Sequence, residues 1–78
     1  MSIKVGQIYG YVDDYTQIEY RICVTCVLRF TAFGISSSGV TYDKGKSFYE
    51  DLPLIAEYPT WQDAVNSSEF KGEEKNAE

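Results

Sequence analysis

The sequence predicts a mainly β domain: a small antiparallel barrel of four or five strands with one short C-terminal helix. Three observations lead there. Residues 18–32 alternate apolar and wetter side chains without a Gly or Pro. Clusters of Asp, Gly, Ser and Pro divide the rest of the chain into short pieces. One segment, beginning at Thr60, carries a helix-start signal. A two-layer α+β sandwich is the alternative arrangement of the same pieces.

In 18–32 the even positions are Ile18, Tyr20, Ile22, Val24, Cys26, Leu28, Phe30 and Ala32. Strand side chains alternate faces, so this set faces a core. Fifteen extended residues span about 50 Å at ~3.3 Å per residue. A compact chain of this length has a radius of gyration of roughly 11–12 Å. The stretch must therefore bend, fold back as a hairpin or reach into a second subunit. A two-residue hairpin loop would turn Arg29 and Thr31 toward the core, whereas a bend, a bulge or an odd-length loop keeps the even residues inward. The expectation is a strongly bent strand serving both halves of a barrel.

Ile3 to Val12 reads as the first strand, with Gly6 and Gly10 marking a bulge, a bend or a close backbone approach. Asp13-Asp14-Tyr15-Thr16 reads as a turn, because Asp side chains bond nearby backbone N–H groups. Residues 18–32 return antiparallel to the first strand. Phe33 to Val40 contains a loop, with three serines between glycines. Val40-Thr41-Tyr42 reads as a short strand, Asp43-Lys44-Gly45-Lys46 as a turn and Ser47-Phe48-Tyr49 as the strand pairing back. Pro53 and Pro59 restrict Glu50 to Pro59 to an edge strand or a crossing segment that packs Leu52, Leu54 and Ile55 over one barrel end. Thr60-Trp61-Gln62-Asp63 fits a capping box, and Trp61, Ala64 and Val65 then share a helix face. Phe70 anchors the chain separately. The expected organisation is one domain, residues 1–70, and a disordered acidic tail, residues 71–78.

Seventy-eight residues bury only ~60–65% of their unfolded surface, so the core is small. Seven Tyr, four Phe and one Trp compensate in area, many with a polar tip. No apolar run reaches membrane-spanning length, and residues 1–10 lack the apolar core of a secretory signal. The cytoplasm is the expected location. The net charge of −5 is unevenly spread. Residues 1–46 are nearly balanced, while residues 47–70 carry Glu50, Asp51, Glu57, Asp63 and Glu69 and no base. Such a surface repels phosphate, which disfavours generic nucleic-acid binding.

Lys4-Val5-Gly6-Gln7-Ile8-Tyr9, followed by an acidic turn and a long strand from Tyr20-Arg21-Ile22, resembles the opening of small SH3-like barrels in short phage and prophage proteins. Trp61 and Phe70 are similar to the aromatics that close such domains. The likeness covers about a third of the chain. It implies a barrel and a mobile-element origin, and transfers no functional residue.

Candidate chemistry is sparse. Cys23-Val24-Thr25-Cys26 matches C-x-x-C, but strand positions three apart point to opposite faces, and zinc needs four ligands where the chain has two Cys and no His. Two reduced packing cysteines are expected. Without His, Ser–His and Cys–His dyads are excluded within one chain. Asp13-Asp14 and Glu50-Asp51 are adjacent pairs that diverge on extended chain. No enzymatic activity and no cofactor or metal are expected. Tyr9, Tyr11, Tyr15 and Tyr20, with Asp13 or Asp14, could cage a methylated Lys, against the plainer reading that they cover the core edge.

The functional expectation rests on the aromatic, acidic segment Phe48 to Asp63. Its partner-binding candidates are Tyr49, Glu50, Asp51, Glu57, Tyr58 and Asp63. Aromatics supply binding hot spots, and acids set the sign of the partner. The expected role is a non-enzymatic interaction module docking on a larger protein's basic surface, as a phage-encoded inhibitor occupying a nucleic-acid-binding site would. One alternative is a nucleic-acid-binding barrel using Lys4, Arg21, Arg29, Lys44 and Lys46 with exposed tyrosines. Another is a structural or virion component dimerising through its long strand. Monomer and homodimer both remain open.

Overall fold

The computed structural model describes residues 2–71. Five strands, β1 (Gln7–Val12), β2 (Glu19–Val27), β3 (Thr31–Ser36), β4 (Thr41–Gly45) and β5 (Leu54–Glu57), form one antiparallel sheet of order β4-β3-β2-β1-β5. Three short helices, α1 (Lys46–Glu50), α2 (Trp61–Val65) and α3 (Ser68–Lys71), flank it. The protein is mainly β, as expected. The sheet is open, however: β4 and β5 are its edges, each bonded to one neighbour, and no barrel closes. No described helix is long and apolar enough to cross a membrane.

Residues 18–32 do not make one bent strand. They fold back as the β2–β3 hairpin, where the Leu28 N–H donates to the Thr31 carbonyl at 2.8 Å and leaves Arg29-Phe30 at the tip. Parity is rescued by a bulge. Val24 pairs with Gly34 and Cys26 with Phe33, so Thr25 is the extra residue. Beyond it the inward register passes from Ile22 and Val24 to Val27, opposite Ala32, and Arg29 stays outside. With β1 and β3 on its two sides, β2 offers no edge to a second subunit.

β1 starts at Gln7, later than the sequence suggested, because Gly6 turns the chain with φ +95°. Ile3 still reaches the core, and Gln7 Oε1 accepts from the Lys4 N–H at 2.8 Å and the Tyr9 hydroxyl at 2.7 Å. The Asp13 turn is present: Oδ1 accepts from the Tyr15 N–H at 2.8 Å and, more weakly, the Thr16 N–H at 3.4 Å. β3 runs through Ser36, so the serine-rich loop is only residues 37–40. Ser36 is buried and closes that loop by accepting from the Ser38 and Val40 N–H groups.

Between β4 and α1 the expected turn and return strand are replaced by a longer strand and a helix. Gly45 is extended, at φ −60° and ψ 156°, and caps α1 without a side-chain bond. Packing supplies what capping does not. A strand would send Phe48 and Tyr49 to opposite faces, whereas a helical turn separates them by ~100° and lets both meet the core. Tyr49 is fully buried, its ring 5.2 Å from Phe48 and 5.9 Å from Tyr9, and its hydroxyl donates to the Ala32 carbonyl at 3.0 Å. Burial of that order stabilises by roughly 1.5–3 kcal/mol. Gly34 leaves the space: a Cβ there would lie 2.8 Å from Ile22 Cγ2 and 3.1 Å from the Tyr49 hydroxyl.

The sheet has a core on each face. On one, Ile3, Tyr9, Ile22, Val24, Ala32 and Tyr49 pack beneath α1. On the other, Ile8 and Cys23 pack against Ala64 of α2 and Phe70 of α3. The two-layer sandwich is therefore also replaced, by helix, sheet and helix pair. Thr60 caps α2 as the capping box required, its Oγ1 accepting from the Asp63 N–H at 3.1 Å. α3 carries the chain to Lys71; the rest of the expected tail, residues 72–78, lies outside the described residues.

Candidate functional site

The six partner-binding candidates do not form one patch. Tyr49 is removed from the surface altogether: burial, then Asp43 and Tyr42, push its hydroxyl up to about 12. Tyr58 is half-buried in the second core and donates its hydroxyl to the Glu69 carboxylate, which ties the end of β5 to α3. That bond is the main cause of a raised Tyr58 and a lowered Glu69 pKa. Asp63 lies in the first turn of α2, where a carboxylate favours the helix N-terminus. Glu50, Asp51 and Glu57 remain. All three are exposed.

Glu50 and Glu57 both act on the Tyr9 hydroxyl. The Tyr9 hydroxyl is pushed up first by burial and then by Glu57 and Glu50, which places both carboxylates within electrostatic reach of one atom. Beside it a notch of about 330 Å³ is lined by Ile3, Tyr9, Glu50, Leu52 and Leu54. Leu54 and Ile55 of β5 are exposed. The site is thus a notch beside the β5 edge, walled by Ile3, Leu52 and Leu54 with the Tyr9 ring and the Glu50 carboxylate. Among the described residues one ion pair lies within 4 Å, Arg21 Nε to Glu19 Oε2 at 3.5 Å, so none of the exposed carboxylates Glu50, Asp51 and Glu57 has a cation at that distance. Leu54 and Ile55 belonged to the sequence reading only as packing residues. Two adjacent apolar residues on an edge strand cannot both face in, and that signal was available.

The tyrosine cage does not assemble as named. Tyr9 is buried and Tyr15 is 98% exposed. The group that forms is Tyr11, Tyr42 and Phe48, with Tyr11 and Tyr42 rings 6.2 Å apart and Tyr42 stacked on Phe48 at 6.4 Å. Two strands separate β1 from β4, so this contact requires the sheet to curl around that face. The Lys44 ammonium already lies over the Phe48 ring, 5.4 Å from its centre.

The expected opposite faces for the two cysteines do not hold: the Thr25 bulge interrupts the alternation, so Cys23, opposite Ile35, and Cys26, opposite Phe33, share one face of the sheet, and both are free. Cys23 lies under α2, its thiol 3.9 Å from the Trp61 carbonyl, and burial pushes it up to about 11. Cys26 is exposed, so only one of the pair packs. Among the described residues no group of three or more His, Cys, Asp or Glu is arranged to hold a metal.

A second concavity escaped the sequence reading. The α2–α3 pair covers the β1–β2 half of its face and leaves the β3–β4 half open. There a groove of about 560 Å³ is lined chiefly by Thr25, Phe33, Ile35, Thr41, Asp43 and Trp61. Trp61 stands as its wall, 36% exposed, instead of closing the core. Compared with known proteins, the chain matches no family model, no curated protein and no solved structure.

Proposed function

We propose that this protein is a non-enzymatic interaction module that docks through its β5 edge on a basic surface of a larger protein. The observation that carries the reading is a run of free acids: Glu50, Asp51 and Glu57 are exposed and lack a cation within 4 Å among the described residues, and Glu50 lines a notch with Ile3, Tyr9, Leu52 and Leu54. Carboxylates beside such a notch favour a partner that presents Lys or Arg beside an apolar knob. Proteins that bind nucleic acid display such bases for phosphate. An acidic module seated there would exclude the nucleic acid, the action expected of an inhibitor of the phage-encoded kind.

The test is capture from a host lysate followed by a salt series and charge reversal. Screening acts over ~8–10 Å near physiological ionic strength, so capture should weaken with salt. It should also weaken in the Glu50→Lys/Asp51→Lys variant and under competition by DNA or RNA. A captured protein held equally well by the variant at every salt concentration would remove the proposal.

One observation favours a second reading, nucleic-acid binding at the opposite end. Arg29 and Phe30 form the hairpin tip, Phe30 is 74% exposed, and the Lys46 N–H donates to the Phe30 carbonyl at 3.2 Å. Lys44 pairs with Ala32 nearby. Bases beside an exposed ring suit a single strand. Fluorescence anisotropy with labelled DNA and RNA 12-mers, on wild type and Arg29→Ala/Phe30→Ala, separates the two readings.

A further inference from the structure

We infer that the β4 edge is a second docking site, which takes an extended peptide as an added antiparallel strand with a Lys or Arg facing Asp43. The argument begins with the backbone. β4 bonds only to β3, and no hydrogen bond from another element reaches its outward edge among the described residues. It spans five residues without proline, whereas β5 at the other edge spans four and lies between Pro53 and Pro59. Proline protects a sheet edge and β4 has none; its Asp43 and Lys44 are charges that keep a like edge away and leave a complementary strand as the one that fits.

Side chains then choose the occupant. Thr41 pairs with Ile35 and Asp43 with Phe33, so these four share the face on which the groove opens toward Trp61. A strand added beside β4 would wall the groove's open side, with every second residue on that face. The residue opposite Thr41 would pack on Thr41 and, if long and apolar, extend over it into the groove toward Ile35, one strand further in. The residue opposite Asp43 would meet its carboxylate, which has no cation within 4 Å among the described residues. A base there, apolar neighbours two positions away and small polar residues between them complete the complementarity.

Two other occupants fit poorly. A symmetric antiparallel pairing of β4 with a second copy, in the register that uses all five residues, sets the two Asp43 carboxylates opposite each other, and like charges in that position are destabilising. The chain's own residues 72–78, Gly-Glu-Glu-Lys-Asn-Ala-Glu, carry three acids and no large apolar side chain for the groove.

The experiment is selection of a random 12-residue peptide library on the full chain, followed by affinity measurement and amide hydrogen exchange. Enriched peptides should alternate apolar residues with a central Lys or Arg, and should slow exchange at amides within Thr41–Gly45. Trp61→Ala should weaken them about thirtyfold, as loss of a hot-spot aromatic does. Asp43→Asn, isosteric and at an exposed edge position, should weaken them about three- to fivefold. Enriched peptides without a base, protection confined to β5, failure to enrich any peptide, or a sedimentation mass of two chains would each overturn the assignment.

Discussion

Gly6 and Gly39 have the same φ, +95°, and different surroundings, which makes their alanine variants a controlled pair. At Gly39, in the exposed loop before β4, an added Cβ meets nothing within 4 Å. The cost there is the left-handed backbone, about 1–2 kcal/mol, less about 0.4–1 kcal/mol of unfolded-state entropy that alanine removes. Gly39→Ala should therefore lose about 1 kcal/mol, or ~4–8 °C in Tm for a domain of this size. At Gly6 the same Cβ would lie 2.2 Å from the Tyr58 carbonyl oxygen, and the Gly6 carbonyl accepts the Tyr58 N–H at 3.0 Å. To restore a 3.0 Å contact, backbone must retreat by about 0.8 Å, which loosens that bond and the end of β5. Overpacking costs about 1–3 kcal/mol and the weakened bond about 1 kcal/mol more. Gly6→Ala should then lose roughly 3–5 kcal/mol, enough to melt a small domain near ambient temperature. Urea and thermal denaturation followed by circular dichroism give both values, and hydrogen exchange should show β5 deprotected first. Two variants within about 0.5 kcal/mol of each other would refute the claim that Gly6 is where β5 docks.

Thiol titration with an aromatic disulfide should find one fast cysteine in the folded chain, Cys26, and a second only in denaturant, since Cys23 is buried and pushed up to about 11; two fast thiols would contradict its burial. Tyr58→Phe should return the Glu69 carboxyl toward its ordinary range, read by carboxyl NMR titration. Because Glu69 is lowered in the folded state, the stability it lends is complete above the ordinary glutamate range and disappears as pH falls through its lowered value. The difference in Tm between wild type and Tyr58→Phe should therefore narrow in acid, and a pH-independent difference would count against the Tyr58–Glu69 bond.

Local chemistry was legible where it acts locally. The Asp13 turn and the Thr60 cap need only neighbouring backbone groups, so the residues that make them announce them. Pro53 and Pro59 narrowed that segment, for the same reason, to an edge strand or a crossing segment, and the edge strand is the one that forms. Lys46–Glu50 was illegible because its helix has no side-chain cap and exists through Phe48 and Tyr49 reaching rings on β1 and β4. Tyr49 was misplaced among the surface candidates on the same ground: adjacent to Glu50 in sequence, it belongs to the core in space.

The Thr25 bulge links the fold to both surfaces. An unbulged tight hairpin would have carried Arg29 and Thr31 inward, which is the conflict that made a bent strand look preferable. One extra residue removes the conflict: Ile22, Val24, Val27 and Ala32 all meet the first core. The same residue lines the groove beside Phe33, where its hydroxyl donates to the Phe33 carbonyl at 3.4 Å. The hairpin so formed occupies the middle of the sheet and leaves β4 and β5 at its two ends. One end is short, acidic and bordered by prolines, which suits side-chain docking on a basic surface. The other retains an accessible backbone edge beside an apolar groove, which suits an added strand. Opposite edges with different chemistry leave the two proposed occupants no residue in common to compete for.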